Sequence, residues 1–372
     1  MPHIISVDNK STFLQFLREG YIGVRLPKKY YRNTKQKSLS IAELNALLAT
    51  IYDIFADLKR VKKDDQIFIH VKGEQKIFGA FRAESTFLEN PSIPEEFRSS
   101  NLLKEKLVNK KLPSLSESDF LWQISIKSDE GLYFDEGFDA NEVFKLKDLC
   151  KGIWTIPERW KYEDKEKTVR PLLPEEGKKL IELLRKNNPK GPSNSSVFSK
   201  NLSNFKKIEL PLVPINGLVR DEKLMEAWIM ANAFEPEDLK AHENIKNIFG
   251  DFSFIANTIR SFYIKFMDVF GFLERNDCRI YKIIELKTKE ASFEHINQLV
   301  KYMVWIAEFL CENNLSKVYG YLCAKEFSSD AVKFLQENKP TNLELIRYTL
   351  SDKCLIFHKF IPNSELTTFF RN

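Results

Sequence analysis

The sequence predicts two folded domains of different class: a small α+β barrel over residues 1–185, and an α/β domain with a mixed sheet flanked by helices over residues 211–372. Three observations carry this prediction. Residues 1–185 hold short alternating strands interrupted by helices, the pattern of a small barrel. Residues 186–210 are rich in Asn, Ser, Pro and Gly, and no acid occurs from Arg185 to Ile208, which reads as a basic flexible linker. Beyond residue 211, β-branched strands alternate with long amphipathic helices.

In the first segment Ile4-Ile5-Ser6-Val7 reads as a strand, Lys10 to Glu19 as a short helix and Ile41 to Arg60 as a longer one. Gln66–Lys72 and Lys76–Ala83 alternate as two strands joined by Gly73-Glu74-Gln75. Phe120–Ile126 gives another strand. Thr168 to Leu184 reads as a turn feeding an amphipathic helix. In the second, Asp221–Trp228 is a helix, and Tyr263–Phe270 and Ile280–Lys287 are apolar strands. A long helix runs from Phe293 to about Glu312. Lys317–Leu322, Ala331–Glu337 and Leu343–Tyr348 then read as strand, helix and strand.

The chain has 372 residues, 43% hydrophobic, with 30 Phe, enough for large buried cores. No apolar run approaches the roughly 20 residues of a membrane span. Met1 to Asp8 lacks a basic segment followed by an apolar one, so no signal peptide is expected. A soluble, cytoplasmic protein without membrane partners follows as the expectation. The five cysteines, Cys150, Cys278, Cys311, Cys323 and Cys354, never form C-x-x-C pairs, which argues for reduced thiols rather than disulfides or zinc. A net charge of +5 permits nucleic-acid binding without arguing for it. The linker's positive charge could also brush a DNA backbone.

The chemistry concentrates in Ile280-Tyr281-Lys282-Ile283-Ile284-Glu285-Leu286-Lys287. Residues i and i+2 of a strand share a face, so Glu285 and Lys287 point the same way at its end. Asp268 sits in the preceding apolar strand. Two carboxylates and a lysine converging at strand ends suit a magnesium ion and a phosphodiester.

Asp268 with Glu285-Leu286-Lys287 resembles the catalytic core of the PD-(D/E)XK nuclease superfamily. Gln298 and Tyr302, at i and i+4 on the following helix, match the Q-x-x-x-Y extension of RecB-like nucleases. Glu226, on the preceding helix, stands where such nucleases often carry an additional acid. The block from about 218 to 360 resembles the C-terminal domain of the NucS/EndoMS endonucleases. The resemblance implies that Asp268, Glu285 and the Leu286 carbonyl ligate Mg²⁺, with Mn²⁺ as a substitute. Lys287 would stabilise charge on the phosphate or orient water. Glu226 would take a second metal or a metal-bound water. Gln298 and Tyr302 would contact the DNA backbone or lock the site. A nuclease-like domain that has lost activity is the competing expectation.

Residues 1–185 resemble the YTH/EVE group of PUA-like barrels, on Phe68-Ile69-His70-Val71, Ile77-Phe78-Gly79-Ala80, the Trp122 strand and the segment Val169-Arg170-Pro171 to Gly177. Such domains read a flipped modified base within an aromatic cage. The resemblance offers Trp122, Tyr21 and Phe120 as base-binding residues, each with a core role as the alternative. Gly20-Tyr21-Ile22-Gly23-Val24-Arg25 holds no tryptophan where YTH domains carry their first cage tryptophan. Arg82, Arg159 and Arg170 are candidate phosphate contacts or surface salt-bridge partners. Taken together, the two resemblances imply a modification-dependent DNA endonuclease of the type IV restriction kind, a defence enzyme. It would act on double-stranded DNA bearing a modified base, and a homodimer would supply a paired cut. The alternatives are a NucS/EndoMS-like mismatch or repair endonuclease, and a non-catalytic reader of modified RNA.

Overall fold

The computed structural model describes residues 1–26, 40–92, 120–127, 132–145, 155, 169–193, 204–208, 210, 219, 221–234, 238–261, 265–276, 278–338, 340–351 and 354–361. The chain separates into two units, Met1–Pro211 and Leu212–Asn372. Among the described residues no helix is long and apolar enough to cross a membrane. Cys278, Cys311, Cys323 and Cys354 are free thiols.

The first unit runs β1 (Pro2–Val7), α1 (Lys10–Glu19), β2 (Tyr21–Val24), α2 (Ile41–Arg60), β3 (Gln66–Val71), β4 (Lys76–Arg82), β5 (Leu88–Glu89), β6 (Trp122–Ser125), β7 (Leu132–Asp139), β8 (Val169–Pro171), α3 (Pro174–Asn187) and β9 (Lys206–Lys207). One sheet has the order β7-β4-β3-β1-β8, and another β2-β6-β5-β9. β1 and β3 pair in parallel, which requires the crossover that α1 and α2 supply. Each helix is fixed by its ends. Asn9 accepts the Thr12 N–H, Ser40 and Glu43 form a reciprocal capping box, and Gly20 closes α1 at a φ of 68°. Ile4, Phe68, Ile77, Phe134, Leu180 and Leu184 share one core. Each fully buried side chain of this size contributes roughly 1.5–3 kcal/mol.

Two expectations for this unit change. The described strands form two sheets, touching at an Ala83–Ile126 bridge, and do not close into a barrel. The segment 186–210, read as a linker, also contributes structure to this unit. Lys186 and Asn187 complete α3, Lys206–Lys207 pair with β5, and the Ile208 carbonyl accepts a hydrogen bond from buried Lys59. A buried ammonium needs an acceptor, and this backbone supplies one.

The second unit runs α4 (Glu222–Asn232), α5 (Leu239–Phe249), β10 (Phe254–Arg260), β11 (Phe266–Arg275), β12 (Cys278–Leu286), β13 (Glu290–Ala291), α6 (Phe293–Leu310), β14 (Val318–Ala324), β15 (Glu326–Phe327), α7 (Ser329–Asn338), β16 (Leu343–Ser351) and β17 (Cys354–Lys359). Its six-stranded sheet has the order β10-β11-β12-β14-β16-β17. The central β12-β14-β16 pairs are parallel and the flanking pairs antiparallel. This is the expected mixed sheet, and helices cover both faces. Gly320 and Tyr321 are neighbours on β14 and so point to opposite faces. A Cβ on Gly320 would come within 2.4 Å of the Met303 sulphur, so α6 lies against that face. Tyr321 packs edge-on to Phe249 of α5 on the other. β12, one of the sheet's two middle strands, is buried from Tyr281 to Leu286 and delivers its end to the site.

Candidate active site

The site lies where β11 and β12 part. Their antiparallel ladder reaches Val269 opposite Ile284 and goes no further. The next two residues, Asp268 and Glu285, carry carboxylates where ladder bonds would otherwise continue. Asp268 Oδ2 accepts the Leu286 N–H at 2.8 Å, so a side chain replaces the lost backbone acceptor. On the other edge of β12 the Lys287 N–H donates to the Cys323 carbonyl at 2.8 Å. The strand end is therefore held from both sides.

Four oxygen-bearing groups surround the Lys287 ammonium. Its Nζ lies 3.0 Å from Glu285 Oε1, 3.9 Å from Asp268 Oδ2 and 3.7 Å from Glu222 Oε2. It also donates to the Leu286 carbonyl at 2.6 Å. Gln298 Nε2 donates to Glu285 Oε1 at 2.8 Å and lies 3.0 Å from the Tyr302 hydroxyl, which donates to the Phe266 carbonyl at 3.1 Å. The i, i+4 pair on α6 thus fixes Glu285 and the start of β11 together. Asp268, Glu285, Leu286, Lys287, Gln298 and Tyr302 are all brought into one cluster.

The electrostatics follow from three acids around one base. Burial, reinforced by the neighbouring Asp268 charge, pushes Glu285 up to about 8 against the pull of Lys287. Glu222 is raised chiefly by burial, with Asp268 adding to it. Burial works against the Lys287 charge, but Glu285, Asp268 and Glu222 outweigh it and hold its pKa above the ordinary lysine value. Glu285 Oε2 is buried with no hydrogen-bond partner. A buried, unpartnered carboxylate oxygen in an acid-rich pocket fits an oxygen-seeking cation. Asp268, Glu285 and the Leu286 carbonyl supply the hard donors for one, with solvent completing the shell. Among the described residues no three His, Cys, Asp or Glu side chains are grouped to hold a metal by themselves.

Glu226 has partners of a different kind. It is fully buried, 2.8 Å from Lys223 Nζ, with Asn257 Nδ2 and the Thr258 hydroxyl each donating to its Oε2 at 3.3 Å. Glu222, one helical turn earlier, faces Lys287 instead. The same stripe of α4 carries both acids, so an i, i+4 reading of Glu222 and Glu226 could have found it.

The base-reading candidates fall differently. Trp122 is 1% exposed and sits edge-on to Phe55 at 5.5 Å, in the core. Tyr21 is buried against Phe16, with its hydroxyl pKa raised by burial and by Glu19. Neither offers the open π face that base stacking requires. Phe120 is half-buried, packed on Phe16 at 4.9 Å with the Arg25 guanidinium over its ring. Arg170 is buried on β8, the edge strand beside β1, and that burial is unlike a phosphate contact. Arg82 is exposed and donates to the Asp64 carbonyl at 2.8 Å. Arg159 lies outside the described residues.

No family model matches the sequence, and neither does any curated protein. Solved structures with partial likeness include a repair endonuclease from Pyrococcus abyssi, at 19% identity and a TM-score of 0.21, covering 32% of this chain and 49% of that one. A complex of EndoMS with dsDNA matches at 21% identity and a TM-score of 0.20, over 28% and 42%. A protein from Pseudomonas putida matches at 9% identity and a TM-score of 0.26, over 49% and 99%. The chain spans about half the length of the repair endonuclease it matches.

Proposed function

We propose that the second unit is a metal-dependent nuclease that hydrolyses phosphodiester bonds in DNA. The observation that carries this reading is the Lys287 ammonium set among Glu285, Asp268, Glu222 and the Leu286 carbonyl at a forked strand end. Asp268, Glu285 and the Leu286 carbonyl would hold Mg²⁺, or Mn²⁺ in its place, and the bound ion would supply Lewis acidity toward water and phosphate. Lys287 then stands beside the phosphate and stabilises the charge that develops on its oxygens. Three carboxylates keep that lysine protonated. Gln298 holds Glu285 in the orientation that leaves Oε2 directed to a ligand. Glu222 faces the lysine from α4 and restrains it between the strands and the helix.

The first unit, on this reading, selects the target, and joining it to the nuclease raises the local concentration of the cutter at marked sites. The resemblance of residues 1–185 to YTH/EVE domains supports a modified base as the mark. That makes the chain a modification-dependent endonuclease. The test is a panel of otherwise identical duplexes, plain, base-modified and mismatched, incubated with the full chain in Mg²⁺ and in EDTA. Preferential, Mg²⁺-dependent cutting of a modified duplex supports the proposal. Preference for the mismatched duplex replaces it with a repair endonuclease. Binding of modified RNA with no cutting of any duplex removes the enzyme reading.

A further inference from the structure

A cleft of about 540 Å³ opens beside the carboxylate cluster, lined by Lys265, Glu294, His295, Asn297, Gln298, Lys301 and Tyr302. Its size falls within the range of ligand sites. It shares Gln298 and Tyr302 with the cluster, and Gln298 Nε2 touches Glu285 Oε1, so the cleft abuts the nuclease site on the α6 side. Residues 294, 297, 298, 301 and 302 form one stripe of α6.

We propose that this cleft seats the sugar-phosphate backbone of the nucleic-acid strand that enters the active site, with Lys265 and Lys301 each contacting a phosphate. The proposal rests on the nuclease reading and deepens it. Both lysines are exposed, and neither makes an ion pair or side-chain hydrogen bond among the described residues. By contrast Lys223, Lys246, Lys287, Lys333 and Lys359 of the same unit are each paired with an acid. Two uncompensated cations on the walls of one cleft give it a positive balance against its single acid, Glu294. His295 is taken up by the helix end, its Nδ1 accepting the Ser292 N–H at 2.9 Å. Asn297 adds a neutral amide that can donate to phosphate oxygens or sugar. From residue 294 to 301 the stripe runs about 10 Å along the helix, at about 1.5 Å per residue. A DNA strand places a phosphate every 3.4 Å or so along its axis, so the stripe accommodates about three of them. A track of this kind positions a strand and carries no sequence preference.

The test measures binding of the full chain to a labelled oligonucleotide, single-stranded and duplex, in EDTA across a salt series, so that cleavage plays no part. The proteins are wild type, Lys265→Gln, Lys301→Gln, the double variant, and Lys333→Gln as a control outside the cleft. Each cleft variant is expected to flatten the slope of log K against log salt, by about 0.9 on duplex or about 0.7 on single strand. The effect should be equal across oligonucleotide sequences, and the control should leave the slope unchanged. The form of DNA with the larger change identifies which one occupies the cleft. Melting curves are expected to be unaltered, because both side chains are exposed. If wild type binds and the double variant keeps its slope, the cleft assignment is overturned and the nuclease reading stands. If wild type binds neither form at any salt, both fall.

Discussion

Glu176 in the first unit and Glu285 in the second are both carboxylates 1% exposed to solvent, and their surroundings differ in kind. Glu176 caps the start of α3. It accepts the Leu173 N–H at 2.7 Å and the Thr155 N–H at 3.0 Å, and also the Thr155 hydroxyl. Its oxygens are filled by donors from its own fold. Glu285 has one oxygen shared between Lys287 and Gln298, the other without a partner, and Asp268 on the facing strand. Burial alone therefore does not mark a functional acid. The mark is burial together with like charges, one shared cation and an oxygen left open to a ligand. Two other buried charged groups of the first unit also pair within their own fold. His3 Nε2 meets Asp65 at 2.8 Å, and Arg60 lies 3.4 Å from Asp57.

The sharpest way to break this contrast is to ask whether the first unit's aromatic candidate is structural. Trp122→Ala should cost about 3–5 kcal/mol of stability, as for other buried aromatics cut to alanine. It should leave the ratio of modified to unmodified DNA binding unchanged. Thermal melts beside binding curves measure both; a changed ratio at unchanged melting temperature would return Trp122 to a binding role.

A pH series tests whether the first unit's buried histidine is held neutral. Burial, opposed by Asp65, lowers the His3 pKa from 6.5 to about 4. The unfolded chain takes up that proton near pH 6.5 and the folded chain only near pH 4, so unfolding binds a proton between them. Stability is therefore present above about pH 6.5 and lost as the pH falls toward 4, by on the order of 3 kcal/mol. Urea midpoints followed by hydrogen exchange of β1 and β3 should show this slope, and His3→Gln should flatten it.

The smallest effects separate the two acids of α4. Glu226→Gln should lower stability by about 1–3 kcal/mol, through its loss from the buried Lys223–Thr258–Asn257 network, with cleavage per folded molecule unchanged. Glu222→Gln should leave the melting temperature nearly unchanged and slow cleavage by about tenfold, the equivalent of about 1.4 kcal/mol in the barrier. Exchanged outcomes would mean that α4 presents the other turn to the site.

Much of the second unit was legible because its signals are local. The strand ending in Glu285-Leu286-Lys287 declares its shared face by period two, and Gln298 with Tyr302 declares one helix face by period four. What escaped was relational. Glu222 and Glu226 satisfy the same helical stripe, and only the rotation and height of α4 against the sheet decide which reaches Lys287. Lys265 and Lys301 are 36 positions apart and meet only once β11 and α6 pack. β10 and α5 went unread although Ala241, Ile245 and Phe249 carry a helical stripe. In the first unit β1, β3, β4 and β6 were legible, while β2, β7 and sheet closure were not, since closure depends on strand tilt and partner choice beyond the alternation pattern. Trp122 shows the same limit: an aromatic in a strand reads alike as core or cage until its neighbours are known.

On the proposed reading the fork between β11 and β12 is a catalytic metal and phosphate site. Its most direct test is Mg²⁺-dependent cleavage of DNA by Asp268→Asn and Lys287→Ala beside wild type, with melts and EDTA binding curves on the same preparations. Each variant is expected to cut at least roughly 10²–10³-fold more slowly, to stay folded and still to bind DNA. Folded variants that cut at the wild-type rate would contradict that reading.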